Sequence, residues 1–432
     1  MSATTALLTD QYELTMLQAA LARGTARRRS VFEVFARRLP EGRRYGVVAG
    51  TGRFLDAVET FRFDGETLRF LREAGIVDDA TADWLADYRF TGDVWGYAEG
   101  DVFFPHSPLL VVEGTFAEAV LLETLALSVF NFDSAVASAA SRMTAAAGAR
   151  PCIEMGSRRA HEHAAVAAAR AARIAGFDST SNLEAGRTYG LPTRGTSAHS
   201  FTLLHDSEQD AFTAQISSLG KETTLLVDTY DVAAAVETGV RIAGTGLGAV
   251  RLDSGDLLSL ATEVRRQLDE LGATDTRIVV TSDLDEHAIA ALASAPVDGY
   301  GVGTSLVTGS GAPTAGLVYK LVSREDDDGT MVSVEKRSTG KSSVGGRKYA
   351  WRRRDGRGVA SAEILGLGRS PEADSDDRPL LVPLIRDGEV VGREPLDAAR
   401  RRHVTARAEL PPTALQLSRG EPAIPTYYEE SR

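Results

Sequence analysis

TLLVD at 224–228, AVRLDSGD at 249–256, RIVVTSD at 277–283 and GYGVGTS at 299–305 share one pattern: a short apolar or β-branched run that ends in small or acidic residues. Such runs read as buried strands, and helical patterns at 231–239, 257–271 and 286–294 separate them. Toward the N-terminus the alternation continues: CIEMG (152–156) with a helix over 160–175, FDST (177–180) with 182–189, and GTSAHS (195–200) with 208–219. Seven strand–helix repeats predict right-handed crossovers, a parallel sheet and an irregular α/β barrel rather than an open sheet. Arg158, Ser181, His199, Asp228, Asp253, Asp283 and Gly303 all fall at or just after a strand's C-terminal end. Barrels of this kind collect their chemistry on that rim.

Outside this core the rhythm differs. VFEVF (31–35) alternates as a strand, YGVVAG (45–50) leads into a helix over 54–60, and residues 94–114 read as a Gly- and Pro-punctuated meander. Helical patterns cover 115–129 and 134–147. LVYKLVS (317–323) and TMVSVEKRS (330–338) read as late strands that pair back with the N-terminal region. The expected organisation is a discontinuous sandwich-like α+β domain, 1–115 with 318–432, around a catalytic barrel over 116–317.

The chain has 432 residues and a formal charge of −12, with 43% hydrophobic and 25% charged residues. An acidic surface repels nucleic acid and anionic membranes, so neither is an expected partner. An anionic substrate needs a local basic pocket against that field. Cys152 is the only cysteine, so no internal disulfide forms and a reducing cytoplasm is the expected location. The opening MSATTALLTDQYELT meets Asp10 and Glu13 too early for a signal peptide. The most apolar stretch, 109–132, carries Glu113, Glu118 and Glu123 and is too polar to span a bilayer.

TDQYELTM (9–16), GSRRAHEHAAV (156–166), FDSTSNLEAGRTYGLPTRGTSAHSF (177–201), LVDTYD (226–231), VRLDSGDL (250–257), TSDLDE (281–286) and GYGVGTSLVT (299–308) are seven ordered strings. Together they resemble the nicotinate phosphoribosyltransferases, the ATP-coupled branch of the type II phosphoribosyltransferases, over nearly all of the chain to about residue 350. The resemblance implies that nicotinate and phosphoribosyl pyrophosphate give nicotinate mononucleotide and pyrophosphate in NAD salvage. It implies ATP hydrolysis through a phosphohistidine, Mg²⁺ carried with the phosphates rather than by protein ligands, and a homodimer with active sites at its interface.

On that resemblance His199 is the phosphohistidine, oriented by Asp228 as acceptor for its other ring nitrogen. Arg158, or Arg159 beside it, meets the nicotinate ring or carboxylate. Tyr12 covers the ring from the partner subunit; a core tyrosine on an N-terminal helix is the alternative. Ser181 stands where nicotinamide-using relatives carry an aspartate, so its hydroxyl and nearby backbone donors favour the acid. SNLE (181–184) has capping-box spacing, which also makes Ser181 a helix N-cap. Arg251, Asp253, Ser254 and Gly255 match the phosphoribosyl segment, with Asp283 near it, and Gly301, Gly303 and Thr304 match the 5-phosphate cradle. Lys341 and Lys348 match diphosphate-facing cations, although Ser343 and Gly345 replace the family's Thr and Pro between them.

Three rival readings have their own signatures. The same fold acting on nicotinamide differs in the pyridine accepted. A lyase- or isomerase-type barrel needs a lysine at a strand end, and Lys221 lies between helix and strand on the other rim. A nucleotide-binding relative without catalysis would form no mononucleotide.

Overall fold

The computed structural model describes residues 4–336, 344–374 and 376–429. Lys341 therefore lies outside the described residues. The chain divides into two compact units, Met1–Ser138 with Thr314–Arg432, and Ala139–Pro313. The boundaries thus fall at 138/139 and 313/314, against 115/116 and 317/318 read from sequence. The first of them lies inside a single 25-residue helix, Glu123–Ala147, where two shorter helices were expected. Alanine-rich sequence without glycine or proline lets that helix run on. With Phe116–Val120 it is long and apolar enough to cross a membrane by composition, yet 67% of its apolar window is buried in the fold. It is a core helix.

The discontinuous unit is built on a wholly antiparallel seven-stranded sheet. Its order is Met331–Ser333, Leu317–Glu325, Arg29–Ala36, Leu110–Thr115, Asp93–Tyr97, Leu381–Arg386 and Glu389–Val390. The late strand Leu317–Glu325 pairs along Arg29–Ala36, with Val34 opposite Tyr319 and Phe32 opposite Leu321. The Phe32 and Tyr319 rings stack with centroids 5.0 Å apart. Pairing of Leu317–Glu325 with the N-terminal region therefore closes one edge of Arg29–Ala36, whose other edge is taken by Leu110–Thr115 and seven of whose eight residues are buried.

A four-stranded sheet, Arg378–Pro379, Lys348–Arg354, Ala360–Leu367 and Thr426–Tyr428, packs against it. Between the sheets Arg352 is fully buried and bonds Glu363, while Glu363 also accepts from Tyr97 (3.1 Å) and Ser107. Burial pushes the Glu363 carboxyl up even against the pull of Arg352. Buried charges of this kind require mutual pairing, since desolvation is otherwise uncompensated.

The second unit carries a six-stranded, wholly parallel sheet in the order Ser179–Thr180, Cys152–Glu154, Gly299–Val302, Arg277–Val280, Ala249–Leu252, Thr224–Leu226. Helices Glu162–Ile174, Leu183–Tyr189, Glu208–Leu219, Val232–Ala243, Leu257–Glu270 and Glu286–Ala291 alternate with the strands. The sheet is the irregular, half-barrel form of the expected architecture. The seventh strand, GTSAHS, is absent: residues 195–198 are irregular and His199 opens the helix His199–Leu204. That segment offers no apolar residue larger than alanine, so it cannot bury itself as a core strand. Its place falls between the two edge strands, which do not pair.

Candidate active site

Parallel strands all point one way, so the C-terminal ends of Cys152–Glu154, Ser179–Thr180, Thr224–Leu226, Ala249–Leu252, Arg277–Val280 and Gly299–Val302 form one rim. The loops leaving that rim carry the residues singled out from sequence. The structure brings His199 and Asp253 together, with Nε2 3.9 Å from Oδ2. The Nδ1 of His199 meets the hydroxyl of Thr229 at 3.1 Å. The expected His199–Asp228 bond is thus replaced by Thr229, one residue along. Asp228 instead accepts from the Asp253 N–H (2.9 Å) and the Ser254 hydroxyl (2.7 Å), fixing the turn that presents Asp253. Gly255 completes that turn at φ +85°, a left-handed conformation suited to glycine, and Asp256 caps the helix Leu257–Glu270.

Arg251 points from its strand into the same group. Its guanidinium donates to the Thr196 hydroxyl, and its Nε is buried without a partner. Burial pulls its pKa below the usual guanidinium range, and the charge of Arg158 acts in the same direction while Asp253 and Asp228 oppose it. Two guanidiniums that repel one another beside a buried unpartnered N–H make a site that welcomes an anion. The carboxyl of Asp253 accepts in turn from Thr281.

Arg158 and Arg159 are both exposed in the turn after Cys152–Glu154, and it is Arg158 whose charge reaches Arg251. Ser181 is half-buried on the neighbouring strand end; its N–H donates to the Glu154 carbonyl (2.8 Å), so only its hydroxyl remains to meet a ligand. The backbone N–H of Asn182 is likewise held by Thr180 at 2.9 Å. Helix Leu183–Tyr189 is capped by Asn182, not by Ser181. Asp283 is exposed after Arg277–Val280, beside Ser282, whose φ of +118° strains this loop.

Gly301 lies within its strand, where a side chain would meet Thr281 Cγ2 at 2.5 Å and Met155 Sδ at 2.8 Å. Close packing against Thr281 and Met155 is by itself enough to require a glycine there. Gly303 precedes the short helix Thr304–Val307, and Thr304 is exposed there. Lys348, expected to face the diphosphate, lies in the other unit. Its ammonium is buried on Glu33 (2.6 Å) with the Val344 and Gly346 carbonyls at 2.9 and 3.2 Å, so all three of its protons are committed.

Tyr12 is 45% exposed on the helix Gln11–Arg23. Partial burial and the nearby Glu123 carboxylate push its phenol up to about 12. The sequence reading missed Thr196, Thr229, Thr281 and Glu154, each of which holds a rim group by a hydrogen bond. All four stand inside the strings quoted above, but only the folded geometry selects them.

A profile of the nicotinate phosphoribosyltransferase (NAPRTase) N-terminal domain matches residues 7–131. The chain is 58% identical over 429 residues to nicotinate phosphoribosyltransferase pncB1 of Mycobacterium tuberculosis H37Rv, covering 97% of this chain and 94% of the relative. It is 37% identical over 360 residues to the nicotinate phosphoribosyltransferase of Bacillus subtilis, covering 80% and 72%. The crystal structure of human nicotinic acid phosphoribosyltransferase superposes with a TM-score of 0.83 at 25% identity, covering 98% of each chain. With the rim geometry, these likenesses establish that the chain belongs to the nicotinate phosphoribosyltransferase family.

Proposed function

We propose that the protein joins nicotinate to the ribose 5-phosphate unit of phosphoribosyl pyrophosphate in NAD salvage, driven by ATP through His199. The observation that carries the reading is the grouping of His199, Asp253 and the half-buried Arg251, whose buried Nε has no partner, on one rim. In the transfer step the pyridine nitrogen attacks the anomeric carbon as the bond to pyrophosphate breaks. The pyridine nitrogen is already nucleophilic, so the protein's task is positioning and charge stabilisation. Arg158 and the Ser181 hydroxyl receive the nicotinate carboxylate, Asp253 accepts from the ribose hydroxyls, and Asp228 with Ser254 and Gly255 holds that turn. Gly303 and Thr304 offer backbone and hydroxyl donors to the 5-phosphate.

In the ATP step a ring nitrogen of His199 accepts the γ-phosphoryl group and ADP leaves; water later releases phosphate. Thr229 bonds Nδ1, which leaves Nε2 open toward Asp253. The coupling acts through different affinities of the two enzyme forms for the phosphoribosyl donor. Asp253 and the exposed Asp283 stand on adjacent strand ends and are hard oxygen donors that fit Mg²⁺ arriving with substrate phosphates. That ion would neutralise charge on the departing pyrophosphate.

A homodimer belongs to the same reading, with Tyr12 reaching the substrate ring of a second copy. Leu8 at 64% exposure and Met16 at 36% flank Tyr12 as an unburied apolar strip. A cytoplasmic location suits the single cysteine, which is buried and whose thiol burial pushes up to about 12.

Product analysis tests the proposal. Supplied with phosphoribosyl pyrophosphate and ATP, nicotinate is expected to give its mononucleotide with ADP and phosphate, and nicotinamide to give little product. Equal use of nicotinamide, or binding without product, would overturn it.

A further inference from the structure

Glu154 ends its strand on the catalytic rim and is 1% exposed. One carboxylate oxygen accepts the Gly156 N–H and the other accepts the Thr180 hydroxyl. Among the described residues no cation pairs with it, and burial pushes its carboxyl up. A buried carboxyl held only by neutral donors destabilises a fold relative to an apolar residue of the same shape. Its presence there therefore calls for a reason other than stability.

The two donors supply that reason. Gly156 opens the turn that carries Arg158, and Thr180 ends the strand that leads to Ser181. The same two loops are tied again by Asn182 Nδ2 donating to the Ser157 hydroxyl (2.9 Å) and by the Ser181 N–H on the Glu154 carbonyl (2.8 Å). At Gly156 a side chain would lie 2.9 Å from the Glu154 carboxylate and 2.1 Å from Val307 Cγ1. The turn is thus drawn tightly onto this carboxyl group. From this geometry we infer that Glu154 is a positioning residue, which sets the spacing of Arg158 and Ser181 and so the fit of the nicotinate carboxylate.

The inference rests on the nicotinate reading of Arg158 and Ser181. A glutamine at 154 keeps both bonds, since its carbonyl accepts from Gly156 and its amide donates to the Thr180 hydroxyl. A leucine keeps neither. Steady-state kinetics of Glu154→Leu should show the KM for nicotinate raised about tenfold, with kcat and the KM for phosphoribosyl pyrophosphate changed by less than about threefold. Glu154→Gln should restore most of the nicotinate KM. Thr180→Val, which removes one bond and preserves shape, should raise the same KM about threefold and serves if the leucine variant does not fold. An unchanged nicotinate KM in Thr180→Val and Glu154→Leu would overturn the inference, as would glutamine failing to rescue. Arg158→Ala measured alongside separates the two levels. If it leaves the nicotinate KM unchanged, the assignment of this loop to nicotinate falls; if it raises the KM while the Glu154 variants do not, only the positioning role falls.

Discussion

Thr229 holds Nδ1 of His199, and a valine there removes the hydroxyl with little change of shape. Loss of one such orienting bond is expected to lower ATP-dependent turnover about tenfold while leaving slow ATP-independent transfer unchanged. His199→Ala should go further, abolishing ATP hydrolysis and still permitting slow transfer; full ATP-stimulated turnover in that variant would remove the proposed role. At this scale the sequence showed which polar residues stand at strand ends and did not show who holds whom. Asp228 and Thr229 are neighbours in LVDTYD, and only the twist of the chain after Val227 decides that the hydroxyl reaches the imidazole while the carboxylate reaches the next loop. Hydroxyl partners across loops leave no periodicity to read.

At the scale of elements, apolar β-branched runs such as RIVV and TLLV were legible because a buried strand needs little else. GTSAHS was not, since its polar and small residues follow the position of a strand without the composition to bury one. Helix Gln11–Arg23 shows how a helix is anchored. Glu13, fully buried, accepts from the Thr124 N–H at 2.9 Å and from the hydroxyls of Thr124 and Thr9. Burial pushes its carboxyl up to about 7 from an ordinary 4.5. The folded chain therefore keeps this proton where the unfolded chain has released it, so the stabilisation is complete below about pH 4.5 and is lost as pH rises through about 7. Glu13→Gln should flatten that slope. Denaturation at pH 5 and pH 8 should show wild type losing on the order of 3 kcal/mol relative to the variant. Parallel pH profiles would contradict the assignment.

For the whole molecule the net charge is −12, and a cation buried in the core has to find its partners within the fold. Arg352 lies between the two sheets of the discontinuous unit with Glu363 and, at 3.7 Å, Asp101. Asp101 keeps its bidentate pair with Arg378, but Arg352→Met would strand Glu363 in the core, and thermal denaturation should report a loss of about 3–5 kcal/mol. Replacing Arg386, paired on the surface with Asp93, should change stability by less than about 1 kcal/mol.

The rim residues from Arg158 to Thr304 are expected to bind one mononucleotide. A crystal structure of the protein with nicotinate mononucleotide tests it most directly. The account predicts the pyridine carboxylate at Arg158 and Ser181, the ribose at Asp253 and the phosphate at Gly303, beside the imidazole of His199. Well-ordered ligand density away from the C-terminal ends of the six parallel strands would contradict it.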